Sequence, residues 1–433
     1  MTTERIPFPT VDEISRHCLA QYEPDTVHIE IHLPGRLDPD RLRGAVRDAL
    51  ADHPRILMRQ APVRWWHRGY TWELTDEPDT DPVRFPGDTL ADARRRALTD
   101  APPLDSSPPV RIEVVDADEG GGCVLVATLH HTALDGPACL RVLATAAQRY
   151  GGRDNAPAPA PVRPAPAGAA QAPPTADRAW ARPARIAADH SSGARGLGNG
   201  MYLAELPLPT RPPGSPYTVN DQLLVATCLM AARWNREHGR PARPVRLTMP
   251  VDDRPRTPDM PIGNGTRLVE VPFGTPDAAL NGDPGAVETL LRATALRTRA
   301  LKAVRRPQLG RSGALLTTPV LPVGVRAAAA RALRNAAGPW ASTTLLSNLG
   351  RLPYPMDFGD AGRATSAWFS APARLPRGVA VTTISTNKRL QLALRWSRTR
   401  LDDAAGHRLG ELFVRTLAQT AQTAPTTGQE ATR

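Results

Sequence analysis

Apolar positions along this chain switch between two spacings, and each switch marks an element. Val27-His28-Ile29-Glu30-Ile31-His32-Leu33 alternates every second residue, the period of a half-buried strand. Asp38-Pro39 then supplies a helix cap and a first-turn proline. Leu42, Ala45, Val46, Ala49 and Leu50 share one helical face before Asp52-His53-Pro54 ends the run. His53 reads as a satisfied helix-end histidine. Residues 90–98 predict a short helix with its arginines outward, and Val110, Ile112 and Val114 alternate again. Beyond a Gly-rich turn at 116–122, Cys123-Val124-Leu125-Val126-Ala127-Thr128-Leu129 is an apolar, β-branched run that predicts a buried strand, and residues 137–150 return to helical spacing.

From 151 to about 198 the pattern stops. Ala156-Pro157-Ala158-Pro159-Ala160-Pro161 and the Ala/Pro/Gly-rich run after it cannot build a core, so this stretch is expected to be a linker, part extended and part disordered. It divides the chain into a portion at 1–150, the linker at 151–198 and a second portion at 199–433. The second portion opens on Tyr217-Thr218-Val219-Asn220-Asp221, with Asn220 or Asp221 expected to cap a helix carrying Leu223, Leu224, Ala226, Thr227 and Ala231. Strands are expected at 245–251 and 268–273, and helices at 284–304, 325–337 and 401–421. A β-branched strand from 341 ends in Ser347-Asn348-Leu349-Gly350, and a hairpin turns at Thr386-Asn387-Lys388. The tail after 421 is polar and expected to be disordered. Trp65-Trp66-His67-Arg68-Gly69-Tyr70-Thr71-Trp72 is expected to form a strand and its turn, in the core or on a pocket wall.

Composition narrows the function classes. The chain has 433 residues, enough for two domains of ordinary size, and a formal net charge of +11. Arginine supplies nearly all the positive charge, Lys302 and Lys388 being the only lysines. The basic residues are spread rather than clustered, and aromatics make up only 5%, which argues against nucleic-acid binding. A basic surface favours an acidic partner instead. Nothing approaches the roughly 18–20 apolar residues of a membrane span, and the N-terminus lacks a signal-peptide core, so a cytoplasmic protein is expected. Cys18, Cys123, Cys139 and Cys228 have no metal-ligand spacing and read as reduced, mostly buried thiols.

The candidate chemistry lies at His130-His131-Thr132-Ala133-Leu134-Asp135-Gly136. Two histidines stand at a strand end, and an aspartate and a glycine on the turn into a helix. A neutral imidazole there can take a proton from a hydroxyl or amine as it attacks a carbonyl. Asp135 is suited to bonding the turn's backbone N–H groups or to pairing with a distant arginine. Gly136 would permit a backbone conformation closed to other residues.

That stretch resembles the HHxxxDG motif of the condensation-domain superfamily, which also holds wax ester synthases, polyketide-associated acyltransferases and, more distantly, chloramphenicol acetyltransferase. Other segments resemble the same group: the TVND helix entry at Thr218–Asp221, Pro250-Val251-Asp252-Asp253-Arg254-Pro255-Arg256, Ile262-Gly263-Asn264, and Ser347-Asn348-Leu349-Gly350. Asp357-Phe358-Gly359 echoes a structural motif of plant relatives but lacks its Trp-Gly. Two departures stand out. Gly265 follows Asn264 where an aromatic is usual, and Asp52–Arg59 puts a leucine at the late arginine of the family's RHExLR motif, leaving Arg55 or Arg59 as its stand-in partner for Asp135.

The resemblance implies two chloramphenicol-acetyltransferase-like α/β sandwiches meeting at a central channel. It makes His131 the catalytic base and His130, Asp135 and Gly136 structural at the site. Ser347 and Asn348 become possible oxyanion or substrate contacts, and Arg254 and Asn264 possible channel residues. It implies no metal and no bound cofactor. The acyl donor would be a thioester on coenzyme A or on a phosphopantetheinyl carrier protein, the acceptor a small alcohol or amine, and the enzyme a free-standing monomer of secondary metabolism. Cyclisation or isomerisation on the same fold, and a non-catalytic protein that docks a carrier, are the alternatives.

Overall fold

The computed structural model describes residues 4–19, 23–117, 121–159, 181–193, 196–276, 280, 283–304 and 316–421. Most of the expected linker, part of the 116–122 turn and the tail after 421 lie outside them. The described chain builds two α/β lobes. The first is centred on a five-stranded sheet in the order β12-β2-β7-β6-β5, with β2 Thr26–Leu33, β5 Val83–Arg84, β6 Val110–Asp116, β7 Cys123–His130 and β12 Ser366–Ser370. The second has the order β10-β9-β11-β13-β14-β8, with β8 Asn199–Pro207, β9 Val245–Asp252, β10 Thr266–Phe273, β11 Thr344–Arg351, β13 Val379–Thr386 and β14 Arg389–Ser397. A small sheet, β1 Arg5–Pro7, β4 Thr71–Leu74 and β3 Met58–Gln60, flanks the first lobe.

One strand does not follow the division by sequence. β12 comes from the second portion yet pairs antiparallel with β2, Ser366 facing His32 and Ser370 facing His28. Leu352, Tyr354, Met356, Phe358 and Phe369 accordingly pack in the first lobe's core.

Helices follow the sequence signals with physical amendments. In α1 (Thr10–His17) the buried residues are Asp12, Glu13 and His17. In α2 (Pro39–Asp52) the Asp38 side chain accepts from Arg41 N, and the five expected apolar residues are buried. His53 closes α2 with Nε2 at 2.8 Å from Thr145 Oγ1. The arginines of α3 (Leu90–Thr99) are not all outward. Arg94 donates twice to the buried Glu30 of β2, at 2.7 and 2.8 Å, and Arg96 pairs with Glu113 of β6. Thus β2 is covered on both faces rather than half-buried, and its polar side lies under α3. Burial opposes the charge of Glu30, yet His28 and Arg94 hold its carboxyl well below the usual range.

α4 (Gly136–Gly151) packs beside α2, and α5 (Val219–Glu237), α6 (Pro284–Ala303) and α8 (Asp403–Ala421) cover the second sheet. The cap of α5 is Thr218, two residues before Asn220 and three before Asp221: Thr218 and Asp221 exchange hydrogen bonds in a capping box. Asp357-Phe358-Gly359 docks the end of α4. The backbones approach so closely that a Cβ on Gly151 would sit 2.4 Å from Gly359 N. The four cysteines are free, with Cys123, Cys139 and Cys228 buried. No helix among the described residues is long and apolar enough to cross a membrane.

Candidate functional site at the lobe junction

β7 delivers His130 as its last residue and the chain turns at His131. The two rings are treated differently. His130 is buried, with Nδ1 accepting from Thr132 N at 3.2 Å. Burial, reinforced by His131 and Arg16, pushes its pKa down to about 3, so it stays neutral. His131 keeps solvent contact. Its Nδ1 lies 3.0 Å from Leu134 O. A carbonyl only accepts, so Nδ1 carries the hydrogen and Nε2 presents its lone pair. Among the described residues Nε2 has no hydrogen-bond partner.

Asp135 performs both tasks expected of it. Oδ1 accepts from Ala138 N at 3.0 Å, capping α4. Both carboxylate oxygens accept from Arg254 Nη2, at 2.9 and 2.8 Å, and Oδ2 also takes Gly265 N at 2.9 Å. The arginine partner is therefore neither Arg55 nor Arg59. Arg59 faces Glu73 and Asp79, and Arg55 donates towards Met58. Burial opposes the charge of Arg254, but Asp135 and Asp252 outweigh it and raise its pKa.

The two glycines act by absence of a side chain, not by unusual backbone. A Cβ on Gly265 would lie 2.3 Å from Arg254 Nε, so the missing aromatic leaves room for the guanidinium to reach Asp135. Gly136 does not adopt a positive φ; its Cβ would meet the ring of Phe369 on β12 at 3.0 Å. This corrects the conformational role expected for it.

Asn264 ties the motif turn to the opposite lobe. Its Nδ2 lies 3.1 Å from His131 O, 2.9 Å from Thr132 O and 2.9 Å from Asp12 Oδ1. Asp12 is buried on α1 and its Oδ2 accepts from Trp72 Nε1 at 2.9 Å. Burial pushes its pKa up to about 6, against the lowering pull of Asn264, Trp72, Arg55 and His131. Asp25, just before β2, completes the frame. Its carbonyl accepts from His131 N at 2.8 Å, and its carboxylate pairs with Arg374 and accepts from Thr132 Oγ1 at 3.0 Å. Arg395 of β14 adds a further tie, donating to Thr26 O and Thr26 Oγ1, each at 2.8 Å. Asp12, Asp25 and Arg374 were not singled out from the sequence, because a lone acid in a first helical turn or ahead of a strand is an ordinary surface signal.

No protein-family model matches the chain. Three solved structures share its architecture over nearly its whole length. The condensation domain of the monacolin K polyketide synthase MokA has a TM-score of 0.61 at 13% identity, covering 96% of this chain and 97% of that one. The first condensation domain of the CDA synthetase gives 0.59 at 17% identity, covering 99% of each. The first condensation domain of the calcium-dependent antibiotic synthetase, in complex with substrate analogue 3a, gives 0.62 at 18%, covering 98% of each. This chain has the condensation-domain fold. By sequence it is similar to two uncharacterized proteins of Mycobacterium tuberculosis, MT2362 (strain CDC 1551 / Oshkosh) and Rv2305 (strain ATCC 25618 / H37Rv). Each is 29% identical over 378 residues, covering 81% of this chain and 84% of the relative.

Within the condensation-domain fold, the second strand end singled out from sequence is self-contained. Ser347 is buried in β11 opposite Thr382. Asn348 Oδ1 accepts from Gly350 N at 2.9 Å and Thr383 Oγ1 at 3.1 Å, and its Nδ2 reaches Asn220 Oδ1 at 3.4 Å. Among the described residues no group of three His, Cys, Asp or Glu side chains is placed to hold a metal ion.

Proposed function

We propose that this protein is a condensation-type acyltransferase of secondary metabolism. It moves an acyl group from a thioester, on a phosphopantetheinyl carrier protein or on coenzyme A, to an alcohol or amine. The observation that carries this reading is the orientation of His131: Nδ1–H is committed to the Leu134 carbonyl, and Nε2 is left as an acceptor on a ring open to solvent.

The acceptor's hydroxyl or amine gives its proton to Nε2 as its oxygen or nitrogen attacks the thioester carbonyl. The Leu134 carbonyl, accepting from Nδ1–H, favours the imidazolium that forms. Collapse of the tetrahedral intermediate breaks the carbon–sulfur bond, and the departing thiolate takes the proton back from Nε2. No covalent acyl-enzyme is required, and alignment of donor and acceptor supplies much of the rate. Asp135, Arg254 and Asn264 hold the turn. The +11 net charge suits an acidic carrier or the phosphates of coenzyme A. Asn348 plays a smaller part, since one hydrogen of its Nδ2 is already directed at Asn220 Oδ1 and only the other is available to an oxyanion.

The test is turnover of His131→Ala with acyl thioesters and nucleophile acceptors, followed by product mass. A loss of roughly 10²–10⁴-fold with an unchanged melting curve is expected, and the native product should carry the added acyl mass. Full turnover in the variant would remove the proton-transfer role. A product isomeric with its substrate, or lighter by water, would replace acyl transfer with another reaction on this fold.

A further inference from the structure

The tryptophan-rich stretch noted in the sequence is split by the fold. Trp72 is buried and stacks on Phe8 with ring centroids 4.1 Å apart. Trp65 and Trp66 are not core: they are 65% and 49% exposed. Beside them, on a segment some 250 positions away in the chain, Val320, Leu321 and Val325 are 74%, 51% and 44% exposed. The two segments are joined by backbone bonds, Gly324 N to Trp65 O at 2.9 Å and Val323 N to His67 O at 2.7 Å, and by Arg326 Nη2 to Arg68 O at 2.6 Å. A Cβ on Gly324 would lie 3.0 Å from Trp65 Cβ. The exposed side chains therefore form one built patch, where single exposed hydrophobics would mean nothing.

We propose that this patch docks the protein on the surface of an anionic lipid bilayer. The occupant is argued from chemistry and charge. Residues 61–70 and 316–325 contain no Asp, Glu, Asn or Gln, whereas Arg64 and Arg68 stand at the tryptophans. Arg64 lies over the Trp66 ring, its Cζ 5.2 Å from the centroid. Indole rings settle at the level of lipid headgroups, with the apolar body inward and the N–H in the polar zone. Arginines at that depth meet lipid phosphates, and each basic side chain near an anionic surface adds to the attraction. Large aliphatic side chains at the start of α7 (Val323–Ala337) supply the buried apolar area that such binding scales with. The proposal is independent of the reaction at His131.

The experiment is co-sedimentation of the full chain with vesicles of phosphatidylcholine alone and of phosphatidylcholine with one third phosphatidylglycerol, at low and at physiological salt. The native chain should partition onto the anionic vesicles at least tenfold more strongly than onto the neutral ones. The double variants Trp65→Ala/Trp66→Ala and Val320→Asp/Leu321→Asp should each lose most of that binding with unchanged melting curves. Arg64→Gln/Arg68→Gln should lose the preference for anionic lipid. The proposal is overturned if the native chain stays in solution with anionic vesicles at low salt. It is equally overturned if both apolar variants bind as the native chain does, since general basicity would then suffice. Self-association of the native chain that both variants abolish, without vesicle binding, would make the patch a contact between copies instead.

Discussion

The two polar strand ends of this protein are held in opposite ways. At the His131 turn, local bonds such as Nδ1–H to Leu134 O and Ala138 N–H to Asp135 Oδ1 are joined by restraints from distant segments. Arg254, 119 positions from Asp135 in the chain, fills the carboxylate; Asn264 holds the carbonyls of His131 and Thr132; Asp25 takes the His131 N–H. At the Ser347–Gly350 turn the partners belong to the same lobe: Gly350, the adjoining strand through Thr383, and Asn220. The first arrangement fixes a loop against both lobes and leaves one ring nitrogen open. The second satisfies its polar groups locally. The difference teaches that the candidate ring is positioned by buried contacts that span the junction, while a similar-looking turn can be a cap.

The strongest way to break that contrast is to remove the spanning charge. Asp135→Ala leaves the partly buried Arg254 facing no carboxylate from the first lobe and should lower unfolding free energy by about 3–5 kcal/mol, read by urea titration, with activity lost in parallel. An unchanged midpoint would mean that Asp252 alone suffices for Arg254. Next, Gly265→Ala places a methyl group where Arg254 Nε lies. It should cost about 1–3 kcal/mol and reduce turnover more than Ala substitution at the exposed Gly274, which has open space around it.

A third measurement uses pH. Asp12 holds its proton up to about pH 6 in the folded protein but loses it near 3.8 when unfolded. Between these values the native state binds more protons, so the stabilisation from Asp12 is present below about pH 4 and is lost as pH rises through 6. The slope is at most about 1.4 kcal/mol per pH unit. Asp12→Asn should flatten this part of the stability–pH curve, and an unaltered slope would show that Asp12 does not titrate there. The smallest effect is expected at the self-contained turn. Asn348→Ala should cost about 1 kcal/mol and reduce kcat by less than tenfold. A loss near the 10²–10³-fold typical of an oxyanion donor would dissolve the contrast and promote Asn348 to the reacting centre.

Much of the fold was legible because its signals are local. Asp38-Pro39 and the five apolar residues after it define α2, and Thr386-Asn387-Lys388 marks a hairpin turn whose Asn387 and Lys388 take positive φ. The motif histidines could be found for the same reason, by type and spacing. The errors lay where a neighbour from afar decides. Arg94 and Arg96 looked solvent-facing until Glu30 and Glu113 were beneath them. Trp65 and Trp66 looked like core or a pocket wall because their composition says nothing of which face is covered.

By itself, then, the order of residues determined the α/β pattern, most element boundaries and the pair of histidines, since periodicity, capping and turn chemistry act over a few residues. The tertiary structure alone decided that β12 crosses into the first lobe's sheet, that Arg254 is the partner of Asp135, that Gly265 and Gly136 are needed for space, and that Asp12 stands behind the His131 loop. Those are contacts between distant segments, and a buried charge or a close approach is chosen by the three-dimensional packing around it, which no local spacing encodes.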